Sequence, residues 1–272
     1  MSNYSMRAFE AYINQAFWGA IEPHQRIATR LPPDGDEEQL AKPYGPGEAF
    51  ARLASIGRRW IRENPLIWPD LVRVFMGPIQ AGYLTADLLF PDAYHNQVAN
   101  PYEWGSILFG RWINDRAPHF QPVTSQVTLN LGVDMVLPWP WHSDRYMGAL
   151  NHIGTPTNPW TQDLGHHRVY ALWPLGVAVV GGGNHSLAAG IIHRTGSLQV
   201  GFIDMRPWLA DLQTDGLTFY NKHGEIVSRN PSPFWAALWE LSRIIVAQHS
   251  SEKILWGMSG TDADAIAASA SK

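Results

Sequence analysis

The chain has 272 residues, a net charge of −4, only 16% charged residues and no basic tail, which disfavours a protein that coats duplex DNA through a basic face. It has no cysteine, so disulfides, Cys-ligated zinc and thiol catalysis are excluded. Thirteen tryptophans and a 45% apolar fraction are enough for a sizeable core.

Residues 8–29 read as a helix carrying Phe9, Tyr12, Phe17 and Trp18. The Pro- and Gly-rich stretch 31–47 reads as a loop. Residues 48–63 are helical, with Phe50, Leu53, Ile56 and Trp60 three and four apart. Arg52, Arg58, Arg59 and Arg62 fall partly on one face of it, as on a solvated helix. A short helix is expected at 70–75, with further helices at 79–89 and 102–113. The pattern changes after Pro118. Residues 123–129 alternate as a strand, and Pro138-Trp139-Pro140-Trp141 is stiff and extended. A helix follows over 144–153, ended by Gly154, then a loop over 155–165. Strands are expected at 168–173 and 175–180, a turn and helix at 181–195, and a strand at 197–203. The last three read as a βαβ-like unit. A hairpin at 217–220 and 225–227 turns around Lys222-His223-Gly224, and 233–248 is an apolar helix. The fold class is α/β (α+β). A helical region 1–117 is expected to pack on a core over 118–258, with a flexible tail at 259–272. No apolar run reaches the ~20 residues that span a bilayer, and no secretory leader is visible, so a soluble, cytoplasmic protein is expected.

The most informative stretch is Val177-Ala178-Val179-Val180-Gly181-Gly182-Gly183-Asn184-His185-Ser186. A buried strand runs through three glycines into a helix start. Glycines let backbone approach a ligand, and the first N–H groups of a helix point at it. The same turn can exist for tight packing alone. Three polar side chains exceed what one N-cap requires, which favours a ligand. On that reading Gly181, Gly182, Gly183, Asn184, His185 and Ser186 bind phosphate, and Gly182→Val should weaken nucleotide binding while the fold survives.

Histidines cluster around this turn: His142, His152, His166, His167, His185 and His193, with Asp134, Asp144 and Asp163 nearby in sequence. His185 is the candidate proton acceptor, kept neutral by the helix dipole, with activity varying between about pH 5 and 8. Asn184 and Asp144 complete the candidate catalytic set. Asp144 or Asp163 would orient His185 or hold Mg²⁺, although no His-x-x-x-His or Asp-x-Asp spacing marks a metal site. Arg145, opening the 144–153 helix, can fork onto phosphate across a cleft walled by Trp139 or Trp141, or simply pair with a carboxylate.

The order of arginine, helix, glycine, strand, Gly-Gly-Gly-Asn-His-Ser, alanine-rich helix and strand resembles the ParB/sulfiredoxin superfamily over about 130–210. The resemblance implies a small mixed sheet with helices and a phosphate or nucleotide site at the turn. Sulfiredoxin's working cysteine is absent, which removes sulfinic acid repair. Ser186 stands where ParB has an arginine, and no helix-turn-helix is evident after residue 205. Within the superfamily the chain looks most like plasmid fertility-inhibition proteins of the oncogenic-suppression type. That resemblance implies a block on DNA transfer through a type IV secretion system, with ATP or CTP as ligand or substrate and nucleotidase and nuclease activity on single-stranded or transferred DNA. The alternative is a non-catalytic inhibitor that grips a conjugation coupling or secretion protein, with the tryptophans as its interface.

Overall fold

The computed structural model describes residues 46–89, 123–229 and 232–248. The expected helices at 8–29 and 102–113, the tail at 259–272 and the boundary at 117 lie outside the described residues.

The first described helix, α1 (Pro46–Glu63), lies along the last, α6 (Pro233–Gln248). A 3₁₀ turn (Pro65–Ile67) leads into α2 (Trp68–Leu89), which packs on β2 (Met135–Leu137) and on α6. The sequence predicted two helices here, broken around Pro78, but one helix runs through it. Proline removes the hydrogen bond to the Val74 carbonyl. Val74 is 57% exposed, so that carbonyl is on the solvent side, while Phe75, Met76, Ile79 and Tyr83 are buried on the other and hold the helix together.

The main sheet contains β1 (Val123–Asn130), β2, β3 (Arg168–Trp173), β4 (Val177–Gly182) and β5 (Ser197–Asp204), in the order β1-β5-β3-β4-β2. β1 is antiparallel to β5, β5 parallel to β3, β3 antiparallel to β4 and β4 parallel to β2. Two helices stand over its glycine-turn end, α3 (Ser143–His152) and α4 (Asn184–His193), packed on each other. The βαβ-like reading of β4, α4 and β5 is corrected by this order. β3 lies between the two strands, and they run antiparallel to one another. β3 and β2 occupy the two places beside β4, so neither is left for a parallel β5. A short helix α5 (Arg206–Asp211) then enters a three-stranded antiparallel meander of β6 (Leu212–Thr214), β7 (Thr218–Asn221) and β8 (Ile226–Arg229). β7 and β8 are the expected hairpin. β2, α5 and β6 are too short to carry a periodic signal.

The architecture is mixed α+β. Trp68, Leu71, Phe75 and Met76 from α2 share one continuous core with Leu172, Val177 and Leu198 from the sheet and Leu238, Trp239 and Leu241 from α6. No helix among the described residues is long and apolar enough to cross a membrane.

Candidate functional site

The glycine turn joins the end of β4 to the start of α4. Gly183 is the N-cap, left-handed at φ 81°, and offers no side-chain cap. A Cβ on it would collide with the His167 ring. A Cβ on Gly182 would stand 2.7 Å from the His166 carbonyl oxygen and 3.0 Å from Arg168 Nε. Gly181 has ordinary space, with its nearest neighbour at 3.7 Å. Two of the three glycines are therefore required by the loop before β3. Gly182→Val would push on backbone and cannot leave the fold untouched.

Asn184 is 3% exposed, and its Oδ1 accepts the Trp139 backbone N–H at 2.8 Å. It ties the Pro-Trp-Pro-Trp segment to the first residue of α4. Trp139 is itself 4% exposed and stacks on Tyr83 at 6.4 Å, inside the packed interior. Trp141 is half-buried and meets His185 edge-on at 5.4 Å and His142 at 5.9 Å. His142 caps α3, its Nδ1 accepting the Arg145 N–H. The exposed Arg145 guanidinium lies 5.3 Å over the Trp141 ring.

His185 is half-buried. Burial first, then the Arg145 charge, then His142, push its pKa down to about 4, against a backbone hydrogen bond with His142 that raises it. The ring is neutral at pH 7, as expected, but through desolvation more than through the helix dipole. Its free titration therefore lies below the pH 5–8 window. Nε2 is enclosed and has no hydrogen-bond partner among the described residues. The charges acting on His185 are cationic or potentially so, and no carboxylate is among them.

Asp144 is exposed in the first turn of α3, where the helix dipole favours an acid. Asp163 lies on the loop before β3. Its Oδ1 accepts the Gly165 N–H at 2.8 Å and its Oδ2 is 2.8 Å from His166 Nδ1. These bonds hold its carboxyl below the ordinary range, the Gly165 bond contributing most. Among the described residues, no three His, Asp or Glu side chains converge to hold a metal ion.

Sequence reasoning missed two residues. Arg168 starts β3 and is paired in register with Gly182, which brings a second guanidinium to the turn. The hairpin spacing of the two predicted strands could have revealed it. In the sequence His167 is only one of six clustered histidines. It bonds Ser186 Oγ at 2.6 Å and stacks on Trp160 at 5.0 Å. Arg58 and Arg243 pair with Glu240, Arg73 with Asp70 and Arg206 with Asp204. The Arg145 and Arg168 guanidiniums have no carboxylate among the described residues.

Residues 53–252 match a family of unknown function, DUF6710, and the chain belongs to that family. No curated protein and no solved structure matches it.

Proposed function

We propose that this member of a family of unknown function binds a phosphate-bearing ligand, a nucleotide or a segment of single-stranded DNA, at the start of α4. The observation that carries the reading is the pair of guanidiniums, Arg145 at His185 and Arg168 at Gly182, that come to one glycine turn without a carboxylate among the described residues. An anion there would meet the first N–H groups of a helix and two forked donors. Arg58, Arg73, Arg206 and Arg243, by contrast, each pair with a carboxylate. The resemblance to the ParB/sulfiredoxin superfamily points to the same ligand class. The likeness to plasmid fertility-inhibition proteins within it supports a cytoplasmic block on DNA transfer through a type IV secretion system as the role.

The geometry favours holding a ligand over cleaving it. A histidine at about 4 is a weak base at neutral pH, and its unpartnered nitrogen is enclosed. The inhibitor reading, in which the ligand-bound protein grips a coupling or secretion protein, is therefore preferred to the nucleotidase and nuclease reading.

The test is calorimetric titration of ATP, CTP and a short single-stranded oligonucleotide into the full chain and into Arg145→Ala, Arg168→Ala and the double variant. Each single change should weaken binding about 10- to 100-fold, the scale of one charged hydrogen bond. Absence of binding to the parent, or unchanged binding to the double variant, overturns the proposal. Release of phosphate that disappears in His185→Ala would restore the hydrolytic reading.

A further inference from the structure

The partners of His167 allow one arrangement of its protons. A backbone N–H can only donate, so Nδ1, 2.9 Å from the Asp163 amide nitrogen, must be bare. The ring proton is then on Nε2 and is donated to Ser186 Oγ at 2.6 Å. The Ser186 hydroxyl donates in turn to the Gly183 carbonyl at 3.0 Å. Trp160 stacks on the imidazole, and its Nε1–H donates to the Ser186 carbonyl at 2.8 Å. Each proton of this chain has an acceptor, but a second ring proton would have none. At Nδ1 it would face the Asp163 amide hydrogen. The arrangement also excludes Ser186 as a nucleophile activated by His167, because the serine is already receiving the ring's proton.

We infer that His167 is an acid-released latch: neutral, it holds the 160–167 loop over the first turn of α4, and protonated, it lets the loop go and bares that turn. The consequence for a ligand rests on the phosphate reading above, whereas the latch itself does not. The ring faces the Asp163 carboxylate and the His166 imidazole from its own loop, and Ser186 and Gly183 from the turn. Arg168, the next residue, lies against Gly182. Burial is the largest influence and disfavours the charged ring, Asp163 works against it, and His166 adds to it, leaving the ring below its ordinary 6.5. The sign follows. The latch is closed above pH 6.5 and weakens as pH falls from there through the closed-state value.

The experiment needs no ligand. Nitrogen-15 spectra of the full chain labelled at histidine should show the Nε2–H tautomer of His167 at pH 7.5. Protection of the Asp163 amide from hydrogen exchange should then fall about tenfold per pH unit within the window. Cleavage after Leu164, 81% exposed on the loop, should rise in parallel. His167→Gln can accept and donate as the neutral ring does, so its loop should stay closed across the window. His167→Phe keeps an aromatic stack and loses both bonds, so its loop should be open at every pH. An Nδ1–H tautomer in the parent, which needs no variant to detect, overturns the latch. So does an acid-dependent opening that persists unchanged in a folded His167→Gln. If the latch opens as described and ATP binds at no pH, the phosphate reading falls and the latch stands.

Discussion

Two arginines stack on tryptophans at opposite ends of the five-stranded sheet, and they differ in what neutralises them. At the end of β3, Arg206 lies 4.1 Å over Trp173 and takes both Asp204 oxygens, with Nε at 3.0 Å from each and a terminal nitrogen at 2.7 Å. Trp173 is 2% exposed. At the glycine-turn end, Arg145 lies over the half-buried Trp141 with no carboxylate among the described residues. The same two side-chain types are therefore closed off as scaffold where a carboxylate takes the charge, and leave the charge open where none does among the described residues. A guanidinium that is hydrogen-bonded on its own protein has little left to offer an anion.

The largest expected effect tests the scaffold end. Trp173→Ala should cost about 3–5 kcal/mol in urea denaturation, as for a buried aromatic truncated in a core. Trp141→Ala should cost clearly less, and an equal loss would erase the distinction between the two stacks. Next, Gly183→Ala should cost about 1–3 kcal/mol, because φ 81° is strained for alanine and the His167 ring fills the Cβ position. Parent-like stability in that variant would mean the ring moves aside freely.

A pH series sharpens the comparison further. His185 has a folded pKa of about 4, so the unfolded chain takes up its proton more readily. Its contribution is intact above the ordinary 6.5 and is lost as pH falls through that range to about 4. Allowing for partial exposure, the loss should be about 1–2 kcal/mol, and His185→Gln should remove that part of the slope. An unchanged slope in His185→Gln would assign the acid sensitivity elsewhere. The smallest effect is on stability in Arg145→Ala, within about 0.5 kcal/mol as for an exposed side chain. Arg206→Ala should exceed it by breaking the closed Asp204 pair. A larger loss in Arg145→Ala would make the glycine-turn arginine structural as well.

Local signals were legible where neighbouring residues decide the backbone. The apolar pattern from Pro233 to Gln248 gave α6 at its observed bounds, and Gly154 follows α3 at φ 77°. The break expected around Pro78 failed because one proline costs a helix less than burial of Phe75, Met76, Ile79 and Tyr83 returns. At the site, the sequence singled out the Gly-Gly-Gly-Asn-His-Ser turn and Arg145. It could not show that two of the glycines answer to the His166 carbonyl and the His167 ring, since those contacts cross between strands.

By itself, then, the sequence determined α1, α3, α4 and α6, the principal strands and the place of the glycine turn, because propensity and periodicity act over three or four residues. Tertiary structure alone decided that β3 separates β4 from β5, that Arg168 reaches Gly182, and that the His167 ring sits between the Asp163 amide and the Ser186 hydroxyl. Those outcomes depend on strand register and burial. Register brings together residues that share no sequence pattern, and burial sets which protonation state a ring can hold.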